Sequence, residues 1–124
     1  MSSLRSLILV GIGGLVGSLP PTLCDPPQLE ELVIMQGTIE RAPFPSWLTR
    51  CANLKRLQLQ TLKIEGALPD LRALTQLETL KLADNLLVGP LPPLPPLLHT
   101  LDISSNQISD FSAACNCSQL SSLW

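Results

Sequence analysis

Leucine and isoleucine recur along this chain at steps of three, two and five residues, with mostly polar residues between them. The interval Leu77 to Pro92 shows the pattern most fully. With Leu77 counted as the first place, aliphatic residues hold the first, fourth, sixth and eleventh places at Leu77, Leu80, Leu82 and Leu87. Asn85 takes the ninth place, Gly89 the thirteenth, and Leu91-Pro92 close the frame. Moving this frame back along the chain recovers Leu54, Leu57, Leu59, Ile64, Gly66 and Leu68-Pro69, with Leu62 in the ninth place. Moving it forward recovers Leu98, Leu101, Ile103, Asn106 and Ile108. Nearer the start, Leu29, Leu32, Ile34 and Ile39 match, with Gly37 in the ninth place. The first frame opens with Leu4, Leu7 and Leu9, and Leu120 and Leu123 open the last. Frame starts at 4, 29, 54, 77, 98 and 120 are separated by 25, 25, 23, 21 and 22 residues. Self-similarity at such a period marks a coil of stacked turns.

Each opening of each frame predicts a short strand, and successive turns lay these strands side by side in parallel. Side chains alternate across a strand, so the frame aliphatics face a common core and the residues between them face out. The outward set runs Ser6, Ile8, Val10, then Glu31, Val33, Met35, then Arg56, Gln58, Gln60, and continues through Thr79, Lys81, Ala83, Thr100, Asp102, Ser104, Ser122 and Trp124. In the ninth place an asparagine amide is suited to satisfy main-chain groups at the bend that follows the strand. Leu62 and Gly37 break that ladder in their turns. Between the strands, Pro43 to Arg50 predicts a helical turn beginning near Ser46. Leu71 to Thr75 predicts a shorter one. The prolines of Pro90 to Leu97 exclude a helix and predict an extended return.

The frame Leu77 to Pro92, and nearly as well Leu54 to Pro69, resembles the plant-type leucine-rich repeat family. Leu48 to Leu54 and Asn116 to Leu120 are similar to that family's approach to a repeat, with Cys51 and Cys117 three residues before the opening leucine. The second frame lacks the Gly-x-Leu-Pro close, and the proline-rich interval resembles the shorter repeats of bacterial secreted effectors. The expected fold is an α/β solenoid: a right-handed leucine-rich coil with a concave parallel sheet and a convex side of irregular segments and short helices. Residues 1–124 are expected to form one array of about five and a half turns with caps absent, a fragment of a longer protein or a partial gene model. The resemblance implies the ectodomain of a cell-surface receptor or a secreted inhibitor, placing the chain outside the cell or at its surface, with a cytoplasmic setting as the alternative.

Composition narrows the picture further. Hydrophobic residues make up 45% of the 124, aromatics only 3%, and 28 residues are leucine, so the core is built of aliphatic layers. A formal charge of -2 supplies no basic field for nucleic acid. No apolar run is long enough to span a bilayer. Residues 1–18 admit two readings. Arg5, the apolar run Leu7 to Val16 and the small residues Gly17 and Ser18 have the makeup of a secretory signal. The same residues keep the repeat frame, regaining Leu15, Gly17 and Leu19-Pro20 after one extra residue. A signal helix has no need of that order, so the frame is preferred.

Candidate chemistry is sparse. Cys51 and Cys117 sit in the same place three turns apart, roughly 15 Å at parallel-strand spacing, too far for a disulfide. Cys24 and Cys51 are one turn apart and can pair in an oxidising compartment; otherwise cysteine here serves as a small buried apolar residue. Cys115-Asn116-Cys117 also resembles the start of a cysteine-flanked cap, though it follows Asn106 late. Asn116-Cys117-Ser118 is an N-glycosylation sequon, informative only in a secreted protein. His99 is the only histidine, and the sequence offers no catalytic set of histidine, orienting group and nucleophile, so it is read as a surface residue. No metal, cofactor or active site is expected. The expected function is recognition of a protein, peptide or glycan on the concave face, through an apolar portion at Ile8, Val10, Val33 and Met35 and a polar portion at Arg56, Gln58, Lys81, Thr100 and Asp102. A structural spacer within a longer solenoid, or the targeting domain of an enzyme, are the alternatives.

Overall fold

The computed structural model describes residues 5–10, 29–35, 42–44, 46–110 and 122–123. In chain order the strands are β1 (Ser6–Val10), β2 (Glu31–Met35), β3 (Ala42–Pro43), β4 (Arg56–Gln60), β5 (Ile64–Gly66), β6 (Thr79–Lys81), β7 (Leu86–Pro90), β8 (Thr100–Asp102), β9 (Gln107–Asp110) and β10 (Ser122–Leu123). Strands β1, β2, β4, β6, β8 and β10 form one parallel sheet in that order. Its register places Ser6, Glu31, Arg56, Thr79, Thr100 and Ser122 at one level, the third place of every frame. The molecule is thus a parallel β-solenoid whose turns stack with equivalent residues in contact.

That register follows from burial. Leu29, Leu32 and Ile34, then Leu54, Leu57 and Leu59, then Leu77, Leu80 and Leu82, then Leu98, Leu101 and Ile103 are all buried. Strand side chains alternate with a period of two, so a slip of one residue between turns would turn a whole aliphatic set outward. Burial of a leucine side chain is worth about 2 kcal/mol. Such a slip would therefore cost several kcal/mol per turn.

A second parallel sheet, β3-β5-β7-β9, runs through segments expected to be irregular. Its pairing is staggered. Glu65, in the twelfth place, pairs with Leu86 in the tenth, and Val88, again in the twelfth, pairs with Gln107 in the tenth. The β7–β9 register then shifts between Gly89 and Pro90, bringing Pro90 opposite Asp110. Proline has no N–H for the ladder and belongs at such an irregularity.

The return from the second sheet differs from the expected α/β character. Among the described residues the only helical segment is a 3-10 helix at Ser46–Arg50, close to the turn expected from Ser46. No helix forms at Leu71 to Thr75, where the expectation fails. Buried residues recur there every third position at Leu71, Leu74 and Leu77, as they do at Leu48, Cys51 and Leu54. Each step is closed by one main-chain bond, from Leu74 N to Leu71 O and from Leu77 N to Leu74 O, both 3.1 Å. A period of three suits 3-10 turns and would rotate an α-helix progressively off the core. In the next turn Pro92 and Pro95 hold these places, and the carbonyl of Pro95 still accepts from Leu98 N at 3.3 Å. Residues 90 to 97 contain no helix, as their prolines require. Among the described residues no helix is long and apolar enough to cross a membrane.

Candidate functional site

The bends after β4, β6 and β8 hold the face in shape. The eighth place is left-handed in three turns, with φ of 57° at Thr61, 58° at Asp84 and 56° at Ser105. The chain bends there, and Asn85 in the next place secures the bend. Its Oδ1 accepts from Leu62 N at 3.0 Å and Ile64 N at 3.2 Å in the preceding turn. Its Nδ2 donates to Leu59 O at 2.7 Å, Leu82 O at 2.9 Å and Ala83 O at 3.2 Å. Asn85 is the one buried polar residue among the described residues. Asn106 repeats part of this arrangement, accepting from Leu87 N at 3.0 Å and donating to Leu82 O at 2.8 Å. Where Leu62 replaces asparagine it is fully buried, and its neighbour Lys63 adopts a further left-handed φ of 55° that Leu86 and Gln107 do not share.

With the bends fixed, the outward residues of the six-stranded sheet form rows across the strands. Ile8, Val33, Gln58, Lys81 and Asp102 lie in one row, and Ile8, Val33 and Gln58 are flanked by a row of Val10, Met35 and Gln60. All nine residues expected on the binding face stand on this one sheet face, Arg56 and Thr100 in the row that begins at Ser6. Ile8 and Val10 are 58% and 56% exposed, high for aliphatic strand residues. Val33 and Met35 are half-buried. Cys24, Asn116 and Trp124 lie outside the described residues.

Polar contacts order the middle of the face. Gln58 Nε2 donates to Met35 Sδ at 3.4 Å and to Gln60 Oε1. Ser6 Oγ donates to Glu31 Oε1 at 2.8 Å, and Arg56 lies 3.7 Å from the other carboxylate oxygen of Glu31. Asp102 is turned along its own strand, where Oδ1 accepts from Ser104 Oγ at 2.7 Å and Ser104 N at 3.1 Å. Although Lys81 and Asp102 are register partners, no ion pair joins them. A cleft of about 220 Å³ opens among Glu31, Val33, Arg56, Gln58, Thr79 and Lys81.

No family model matches the chain, nor does any curated protein.

One margin of the face carries a feature that the outward list leaves out. The second place of successive frames reads Arg5, Glu30, Lys55, Glu78 and His99, alternating in sign up to the histidine. Glu30 sits between Arg5 at 3.8 Å and Lys55 at 3.6 Å. Exposed pairs like these contribute a few tenths of a kcal/mol. The alternation was present in the sequence, but only the register shows that these residues are neighbours. Glu31 and Thr79 were likewise in the outward set without being singled out.

Cys51 is fully buried and disulfide-bonded. The other three cysteines lie outside the described residues. His99 is exposed. Among the described residues, no three histidine, cysteine or acidic side chains come together to hold a metal ion.

Proposed function

We propose that this chain is a non-catalytic recognition module of the leucine-rich repeat type, coiled right-handedly with the six-stranded sheet on its concave side, and that it binds an extended peptide or a protein segment on that face. The observation that carries the proposal is the exposure of Ile8 and Val10 beside Val33 and Met35 on an otherwise ordered strand face. Such an aliphatic group has no role in the core and favours contact with a partner. The neighbouring polar rows offer donors and acceptors at regular spacing, which suits a ligand lying across the strands. A buried disulfide at Cys51 supports an oxidising setting, outside the cell or at its surface.

Panning a displayed library of random dodecapeptides on the immobilised chain tests this. Val33→Asp and Met35→Asp are half-exposed changes that should leave the thermal midpoint within a few degrees while abolishing capture of the enriched peptides. Equal capture by the variants would reject the face as the contact surface. Absence of any enrichment would favour a purely structural spacer.

A further inference from the structure

We infer that the cleft at the centre of the sheet is an anion subsite, built to take an acidic side chain of an extended peptide whose apolar side chain rests on Val33 and its aliphatic neighbours. The inference rests on the sheet face being the recognition surface. Its own warrant is the pattern of used and unused donors within the cleft.

Lys81 is half-buried and lines the cleft, yet no hydrogen bond or ion pair engages its ammonium among the described residues. Its register partner Asp102 is occupied by Ser104, and on the other side Gln58 spends its amide donor on Met35 and Gln60. The ammonium of Lys81, with three hydrogens to donate, is therefore engaged by no acceptor among the described residues. Thr79, also half-buried and in the cleft, has a hydroxyl that no described group engages. Arg56 is register partner of Thr79 and touches Glu31 only at 3.7 Å, leaving most of its five N–H groups free. Arg56 and Thr79 are one strand apart, about 4.8 Å, and Thr79 and Lys81 are two residues apart along one strand, about 6.6 Å. Those main-chain spacings gather the three donors on one patch of the face. Counting Glu31 against Arg56 and Lys81, the residues that line the cleft carry one positive charge in excess, with the Asp102 carboxylate one strand beyond Lys81 outside that count.

Val33 shares the row of Lys81 and lies two strands away, about 10 Å. A peptide in the polyproline II conformation rises about 3.1 Å per residue and returns a side chain to the same side every third residue, about 9 Å. An acidic residue over Lys81 thus places the residue three positions away over Val33. Ile8 continues the apolar row beyond it. A partner of matching chemistry carries Asp or Glu at one position and an aliphatic or aromatic residue three positions away.

The full chain, panned as above, supplies the test. Enriched dodecapeptides should pair an acidic residue with an apolar one three positions away. Synthetic versions measured by fluorescence polarisation should lose about tenfold in affinity on Lys81→Gln and more on Lys81→Glu, with the thermal midpoint unchanged. Replacing the peptide's acidic residue by lysine should restore binding to Lys81→Glu. Enriched peptides without an acidic preference, or with equal affinity for wild type and Lys81→Glu, would overturn the anion subsite while leaving the apolar face in place. Failure to enrich any peptide that the Val33→Asp variant rejects would overturn both.

Discussion

Asn85→Ala removes a single amide that ties two turns together, and its cost can be worked from the contacts. Five hydrogen bonds disappear, but they are not equivalent. Leu82 O keeps the Nδ2 of Asn106 at 2.8 Å, and Ala83 O keeps Thr61 N at 3.2 Å. Leu59 O, Leu62 N and Ile64 N lose the amide in residues that are fully buried, where water cannot replace it. At about 1 kcal/mol for each such group the loss is about 3 kcal/mol. A domain of this size then unfolds on the order of 10 °C lower. Asn106 is only half-buried and accepts one N–H, so Asn106→Ala should cost about 1 kcal/mol. Asn85→Asp adds a pH signature. A carboxylate at this position would face the carbonyls of Leu59 and Leu82, so the folded state holds the proton and the folded pKa lies above the unfolded value near 4. Stability is then highest below that unfolded value and falls as pH rises through the folded pKa. Urea unfolding followed by far-ultraviolet circular dichroism, at pH 4 and pH 7, reads all three variants. Equal losses for Asn85→Ala and Asn106→Ala, or an Asn85→Asp variant whose deficit relative to wild type is smaller at pH 7 than at pH 4, would refute the assignment of Asn85 as the bracket.

Three further outcomes concern the backbone at two bends and the disulfide at Cys51. Thr61 is exposed and β-branched at a φ of 57°, so Thr61→Asn should raise the urea midpoint by the equivalent of about 1 kcal/mol; a loss would show that its methyl or hydroxyl has a role in the bend. Gly89 has a φ of 80° with Ala67 Cβ 3.7 Å from an added Cβ, so Gly89→Ala should cost about 1 kcal/mol through conformation alone. A cost of several kcal/mol there would mean that steric crowding, not the dihedral, selects glycine. Cys51→Ala should lower stability by about 2–5 kcal/mol, and non-reducing peptide mapping should show Cys51 joined to Cys24. Joining to Cys115 or Cys117 instead would contradict a pairing between cysteines one turn apart.

The alternation of core and surface was legible before any coordinates, because Leu54, Leu57 and Leu59 and their equivalents carry it in local order. The common level of Ser6, Glu31, Arg56, Thr79 and Thr100 followed from the same repeat. The second sheet was not legible. Ile64 to Gly66 and Leu86 to Pro90 have no strand pattern of their own, and their partners lie a full turn away at a two-place stagger. Leu71 to Thr75 was expected to hold a short helix, yet the three-residue spacing of Leu71, Leu74 and Leu77 favours 3-10 turns. On the face, the candidate residues could be named from alternation, but not which donors were already in use.

The sequence by itself determined the period, the aliphatic core and the list of outward residues, because side-chain alternation along a strand is a property of neighbours in the chain. Only the tertiary structure decided that Glu30 lies between Arg5 and Lys55, that Asp102 turns to Ser104, and that Lys81 is left facing the cleft. Those are relations between residues, and for side chains with several polar neighbours the partner is chosen by orientation and distance. Chain order sets which groups come near one another, while packing sets which of them meet.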